Sequence, residues 1–200
     1  MPLELVCATG NRGKLREYQS AAGGDVSIEG FGPLDCPETG STFEENAASK
    51  ALCYARAYTA ASGRAEPLVF ADDSGIEVDA LGGEPGVFSA RYAGENANDE
   101  ANNSLMLDRL GDTPRERRTA RFVCVIALAR GVEIVKTFRG SAEGLIRFEP
   151  AGAGGFGYDP LFDYPPLGRG FAELSAEEKW EHSHRGMAFR AMLAWLRESA

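Results

Sequence analysis

Two rhythms of apolar and polar positions run along the chain. Leu3–Ala8 (LELVCA), Leu68–Ala71 (LVFA) and Arg121–Arg130 (RFVCVIALAR) are short apolar runs with polar flanks, the pattern of buried strands. Ile76–Leu81 (IEVDAL) alternates as a half-buried strand does, and Val26 to Ile28 predicts another short strand. Glu133–Phe138 is the expected antiparallel partner of the 121–130 strand, with one or two more strands between Gly140 and Phe148. Helical spacing takes over at Leu15–Tyr18, from Ser41 to about Ala61, from Asn96 to Leu110 and from Met187 to Glu198. Gly63 and Gly111 are stop signals. Ser41…Glu44, Thr42…Glu45 and Ser175…Glu178 fit capping boxes. Leu105, Leu107 and Leu110 are expected in the core, as are Met192, Leu193, Trp195 and Leu196 on the last helix. Strands and helices are mixed throughout, so the fold class is α/β (mixed α+β), with residues 1–200 as a single domain.

Charge narrows the function. Thirty acidic against 21 basic residues leave a net charge of -9, which argues against a nucleic-acid polymer or an anionic membrane as partner. A phosphate ligand stays open, because a local basic pocket can sit on an acidic protein. No 18-residue apolar run predicts a membrane span, and the start MPLELVCATG lacks the basic flank of a secretory signal, so a cytoplasmic location is expected. Cys7, Cys36, Cys53 and Cys124 are dispersed without a CxxC, which predicts buried thiols rather than disulfides or zinc. Two histidines, His182 and His184, exclude a His-rich metal site.

Candidate chemistry begins at Asp72-Asp73, where an apolar run ends in two adjacent carboxylates. Such a pair is costly unless a cation or donors neutralise it, and Mg²⁺ takes oxygen ligands of this type. Thr9-Gly10-Asn11-Arg12-Gly13-Lys14 lies between a strand and a helix, the layout that offers N–H groups to an anion. It is not a Walker A loop, since Leu15 stands where Ser or Thr would be, and a simple helix cap by Thr9 or Asn11 explains it equally well. Asn46 and Lys50, one turn apart, share a helix face that suits a pocket wall. Of Glu44 and Glu45, one is expected to cap the helix and the other to point into a site. Gly152 to Gly157 reads GxGxxG, but Tyr158-Asp159-Pro160 follows instead of a helix, which argues against the dinucleotide reading. A flexible glycine loop is expected there, with Phe156 or Tyr158 stacking on a planar ring and Asp159 accepting from ring N–H groups. His184-Arg185, between two helices, fits a base or anion contact as well as a surface turn. The arginines of 112–118 are read as surface residues.

Five blocks in order, ATGNRGK, TFEENAASKA, ADDSGIEVDALGGEPGVFSARYAG, GGFGYDPLF and EEK…SHRG, resemble the inosine triphosphate pyrophosphatase family, the dITP/XTP pyrophosphatases. The likeness runs from Val6 to the last helix. It implies an elongated, bent mixed sheet flanked by helices, in two lobes with the site between them, and a homodimer. It implies Mg²⁺-dependent hydrolysis of ITP, dITP and XTP to the monophosphate and pyrophosphate, cleansing the nucleotide pool. By motif position, Thr9, Gly10, Asn11, Arg12, Gly13 and Lys14 would hold the triphosphate, with Asn46 and Lys50 beside them. Glu45, Asp73 and Asp72 would bind Mg²⁺, Asp73 being the general base, and Ser74 would touch substrate. Phe156, Gly157, Tyr158 and Asp159 would line the base pocket, completed by Lys179, His184 and Arg185. The rivals are a nucleotide-binding module without hydrolysis, a nicotinamide oxidoreductase and a pyrophosphatase for other modified nucleotides.

Overall fold

A computed structural model describes residues 2–199. Its strands are β1 (Leu3–Ala8), β2 (Val26–Phe31), β3 (Leu68–Val78), β4 (Thr119–Arg130), β5 (Glu133–Ile146), β6 (Phe162–Tyr164) and β7 (Arg169–Gly170). They form one sheet in the order β2-β1-β3-β4-β5-β6-β7. β1 pairs in parallel with β2 and β3, whereas β5–β6 and β6–β7 are antiparallel, so the sheet is mixed as expected. The helices are α1 (Arg12–Ala21), α2 (Phe43–Ser62), α3 (Asp99–Leu110), α4 (Ala176–His182) and α5 (His184–Glu198). Among the described residues no helix is long and apolar enough to cross a membrane.

The chain divides into two compact units. The first comprises the residues up to Asp73, Val125–Arg139 and the residues from Ala188 onward; the second comprises Ser74–Cys124 and Gly140–Met187. In the first unit, the parallel pairing of β1 with both neighbours requires crossovers, which α1 and α2 supply. Tyr18, Phe70 and Phe189 meet with ring centroids 5.0 to 5.9 Å apart. Each such pair adds roughly 0.5–1.5 kcal/mol to the area it buries. α2 buries Ala47, Ala51 and Ala55 at i, i+4, i+8, a stripe of small residues that lets its backbone lie close to its neighbours. Thr42 caps its start by accepting from the Glu45 N–H at 3.1 Å, and Gly63, at φ +72°, ends it.

Cys36 and Cys53 form a disulfide, contrary to the expectation of buried thiols. Spacing along the chain hid the reason: residues near 34–36 lie against α2, where the Leu34 N–H donates to the Tyr54 hydroxyl at 3.0 Å, and the two cysteine Cα atoms stand 6.2 Å apart. Cys7 and Cys124 lie outside that bond and are buried, as expected.

In the second unit, Ile76, Val78, Met106, Leu110, Ala120, Phe122, Ile146 and Phe162 share one core with Tyr158, Leu161 and Phe171. Met106 and Leu110 are the deepest residues of α3 and Leu107 packs against the same core, while Leu105, also expected there, is only half-buried. β3 also corrects an expectation. It runs unbroken from Leu68 to Val78, through Asp72-Asp73-Ser74-Gly75 where the apolar run was expected to stop. The carboxylates do not end the strand because side chains of neighbouring elements receive them. Glu133–Ile146 is likewise one strand. Arg118, expected at the surface, is 1% exposed. It donates to the carbonyls of Thr113, Arg147 and Gly111 at 2.9, 3.0 and 2.6 Å and lies 4.0 Å over the Phe148 ring.

Candidate functional site

The predicted phosphate residues lie in the first unit. Asn11 is the N-cap of α1, accepting from the N–H groups of Gly13 and Lys14 at 2.8 and 3.1 Å, while its own N–H donates to Thr9 Oγ1 at 3.1 Å. The cap explanation of this loop therefore holds in part: the amides that would meet an anion are satisfied by Asn11 itself. Lys14 carries the charge of the loop elsewhere, donating to Asp72 Oδ2 at 2.7 Å. Arg12 is exposed, and its carbonyl receives Arg16.

Two residues of α2 reach the same carboxylates. Asn46, 1% exposed, accepts from the Gly40 N–H at 2.8 Å and donates to Asp73 Oδ2 at 3.0 Å. Lys50 donates to the Asp72 carbonyl at 3.2 Å and pairs with Glu38, a residue not singled out from the sequence. Burial pulls the Lys50 pKa down, but the charges of Asp72 and Glu38 outweigh it and hold the ammonium above its ordinary range. Asp73 moves the other way. Burial raises it to about 6, although the Asn46 hydrogen bond and the Lys50 charge oppose the rise. A cluster of Lys14, Lys50, Asn46, Asp72 and Asp73 thus stands where the sequence placed a phosphate and metal site.

Glu44 and Glu45 take different partners, and neither carboxylate meets Asp72 or Asp73: the expectation that one caps the helix and the other points into a site holds only for the cap. Glu45 accepts from the Ser41 N–H at 2.7 Å and its hydroxyl at 2.9 Å, bonds that hold its carboxyl below the usual range. Glu44 pairs with Arg139 at 2.9 Å. Among the described residues, no three His, Cys, Asp or Glu side chains are gathered as a ready metal cluster. The donor set nevertheless suits a hard cation. Mg²⁺ is held by one or two carboxylates together with substrate phosphates, and Asp72 and Asp73 are adjacent buried carboxylates.

The predicted base residues lie in the second unit. Asp159, 3% exposed, pairs with Lys179 and accepts from the Phe156 N–H at 2.7 Å, so one of its oxygens organises the loop itself. The Lys179 ammonium lies 4.6 Å from the Phe156 ring centroid and the Arg185 guanidinium 5.4 Å. Tyr158 is buried, donates its hydroxyl to the Ser89 carbonyl at 2.8 Å, and has its phenol pKa pushed up by burial. It is a wall residue, and Phe156, 39% exposed, is the ring available for stacking. His184 and Arg185 open α5 and are buried, which corrects the expected helix start at Met187. The His184 ring stacks on Phe122 at 4.8 Å. Ser74, half-buried, follows Asp73 on β3.

Four residues important to this arrangement escaped sequence reading. Glu38 sits in an irregular stretch with no pattern. Ser89 Oγ accepts from the Ile76 N–H at 2.9 Å and donates to the Gly86 carbonyl at 2.6 Å. Asp99 and Asn103 hold Gly157 from α3. The signal available for the last two was an Asp and an Asn at i, i+4 in a stretch read only as an acidic helix start.

The profile of the Ham1 family matches residues 5–195. A dITP/XTP pyrophosphatase of Exiguobacterium sibiricum is 49% identical over 199 residues, covering 97% of each chain. The solved Ham1 protein of Staphylococcus aureus is 42% identical with a TM-score of 0.85, covering 98% of this chain and all of that one. The HAM1 protein of Coxiella burnetii is 40% identical with a TM-score of 0.86, covering 98% and 99%.

Proposed function

The chain belongs to the Ham1 family, and from that premise we propose that it is a nucleoside-triphosphate pyrophosphohydrolase acting on deaminated purine nucleotides. ITP, dITP and XTP would be cleaved to the monophosphate and pyrophosphate. One observation carries the reading: Lys14, Lys50 and Asn46, from two helices, converge on Asp72 and Asp73.

Lys14 and Lys50 are suited to receive triphosphate oxygens, exchanging their present carboxylate and carbonyl partners for phosphate. Asp73, with Asp72 and Glu45, supplies hard oxygen donors for Mg²⁺, which when bound neutralises phosphate charge and acidifies a water. Asp73 would accept the proton of the attacking water as the α–β anhydride linkage breaks and pyrophosphate leaves. Asn46 fixes the Asp73 carboxylate. In the second unit, Phe156 offers a stacking face, and Lys179 and Arg185 offer donors to the 6-oxo group that distinguishes these bases from adenine. His184 and Ser74 complete the substrate contacts that the motif positions imply. The same resemblance supports a homodimer at work in the cytoplasm, with residues 1–200 as one catalytic domain.

The test is pyrophosphate release from ITP, XTP, dITP, ATP and GTP, with Mg²⁺ and with EDTA. Fast release from the first three alone, abolished by EDTA, is expected. Binding without release would overturn the reading in favour of a nucleotide-binding module.

A further inference from the structure

We propose that Asp99 and Asn103, one turn apart on α3, are positioning residues that set base recognition by holding Gly157. The inference rests on the reading of Phe156–Asp159 as the base-contacting loop.

Gly157 has φ +62°, a conformation glycine adopts readily. Both of its backbone groups are bound by side chains of one helix. Its N–H donates to Asp99 Oδ2 at 2.6 Å, and its carbonyl accepts from Asn103 Nδ2 at 3.0 Å. A run holding Gly152, Gly154, Gly155 and Gly157 loses more backbone freedom on ordering than any other composition would, so something has to hold it. On one side of Gly157, the Phe156 N–H is fixed by Asp159. On the other, the Tyr158 hydroxyl is fixed by Ser89. α3 supports that anchor as well: Asn102 accepts from the Ala93 N–H at 2.8 Å and donates to the Ala90 carbonyl at 3.3 Å, beside Ser89.

Asn103 carries its role at a cost. It is 8% exposed, and its buried Oδ1 has no hydrogen-bond partner. Its orientation is set, because the Gly157 carbonyl can only accept and so must face the amide NH₂. A buried helix position beside Met106 would be better filled by an apolar side chain if stability alone mattered. The amide is kept for the loop. Phe156, whose ring meets Lys179 and Arg185, is therefore presented at an angle dictated by α3, and the ligand class affected is the planar heteroaromatic base.

Steady-state kinetics of Asp99→Ala, Asn103→Ala and Asp99→Asn with ITP and XTP test this, with inorganic tripolyphosphate as a base-free competitive inhibitor. Losing one charge-assisted bond should raise KM about tenfold in Asp99→Ala, with kcat held within about twofold if only the base contact is disturbed. The inhibition constant of tripolyphosphate should stay put. Asp99→Asn keeps an acceptor for the Gly157 N–H and should restore most of the affinity. An unchanged KM in Asp99→Ala, or a tripolyphosphate constant that rises with KM, would overturn the proposal. Asp99 is exposed at the helix start, so its variants report even if Asn103→Ala fails to fold. A wild-type chain inactive on ITP and XTP would overturn the functional reading itself, and this proposal with it.

Discussion

The two units hold their polar residues by different means. In the first, charge meets charge: the Lys14 ammonium of α1 closes on the Asp72 carboxylate of β3, the Lys50 ammonium of α2 pairs with Glu38, and the neighbouring Asp73 carboxyl is pushed up to about 6 by burial. In the second, ion pairs such as Asp159–Lys179 are also present, but polar groups are locked as well by packing and by backbone contacts. Lys179 and Arg185 sit against an aromatic ring, Arg118 is wrapped by carbonyls, and a glycine is gripped by a helix. Pairs of the first kind can exchange partners when a charged ligand arrives. Contacts of the second kind define a shape and resist exchange. On the proposed reading, a nucleotide would present both demands, a flexible polyanion and a rigid planar base.

Asp73→Asn should be the most damaging test of this contrast. Removing the base should cut kcat by about a thousandfold while thermal unfolding stays near wild type, since Asn still fits beside Asn46. Wild-type turnover would remove Asp73 from the chemistry. Arg118→Met probes the other style. It strips three buried carbonyls of their donor and should lower stability by roughly 3 kcal/mol, read as a drop in denaturant midpoint. A midpoint unchanged from wild type would show that the second unit does not depend on that knot. Lys14→Ala should weaken ITP and tripolyphosphate together, each by about tenfold; selective loss of ITP alone would place Lys14 on the base side. Lys179→Met should have the smallest effect, raising KM for ITP by about threefold with tripolyphosphate untouched. Equal weakening of both ligands would erase the division of labour between the units.

Much of this was legible before any coordinates, and the divide is physical. α2 was readable because its signals are local: Thr42 before the first turn, Gly63 after the last, and small apolar residues at helical spacing. The motifs that nominate candidate residues were readable because each lies within a short stretch. What escaped depends on contacts remote in sequence. The passage of β3 through two aspartates requires Lys14, Asn46 and Lys50 from elsewhere. Arg118 reads as surface until carbonyls from 111, 113 and 147 surround it. Cys36 and Cys53 carry no mark of their pairing, and Asp99 and Asn103 act on a residue 54 or more positions away. Glu45 shows the converse: its pairing with Thr42 was local and legible, yet the added grip of its carboxylate on Ser41 required geometry.

The glycine-rich stretch before Tyr158 was expected to be flexible, and its packing says otherwise. A Cβ on Gly152 would run into Ala172, and one on Gly155 into Asp159. Gly154 gives its N–H to the Ala172 carbonyl at 2.9 Å. Such a segment would behave in a saturation mutagenesis screen like a hydrophobic core, with nearly every substitution depleted, although its composition resembles that of a linker. The half-exposed ring at position 156 can be exchanged without meeting these contacts, whereas Gly152 and Gly155 cannot take a side chain. Altered base preference should arise at position 156 first, with the glycines as the unchanging frame.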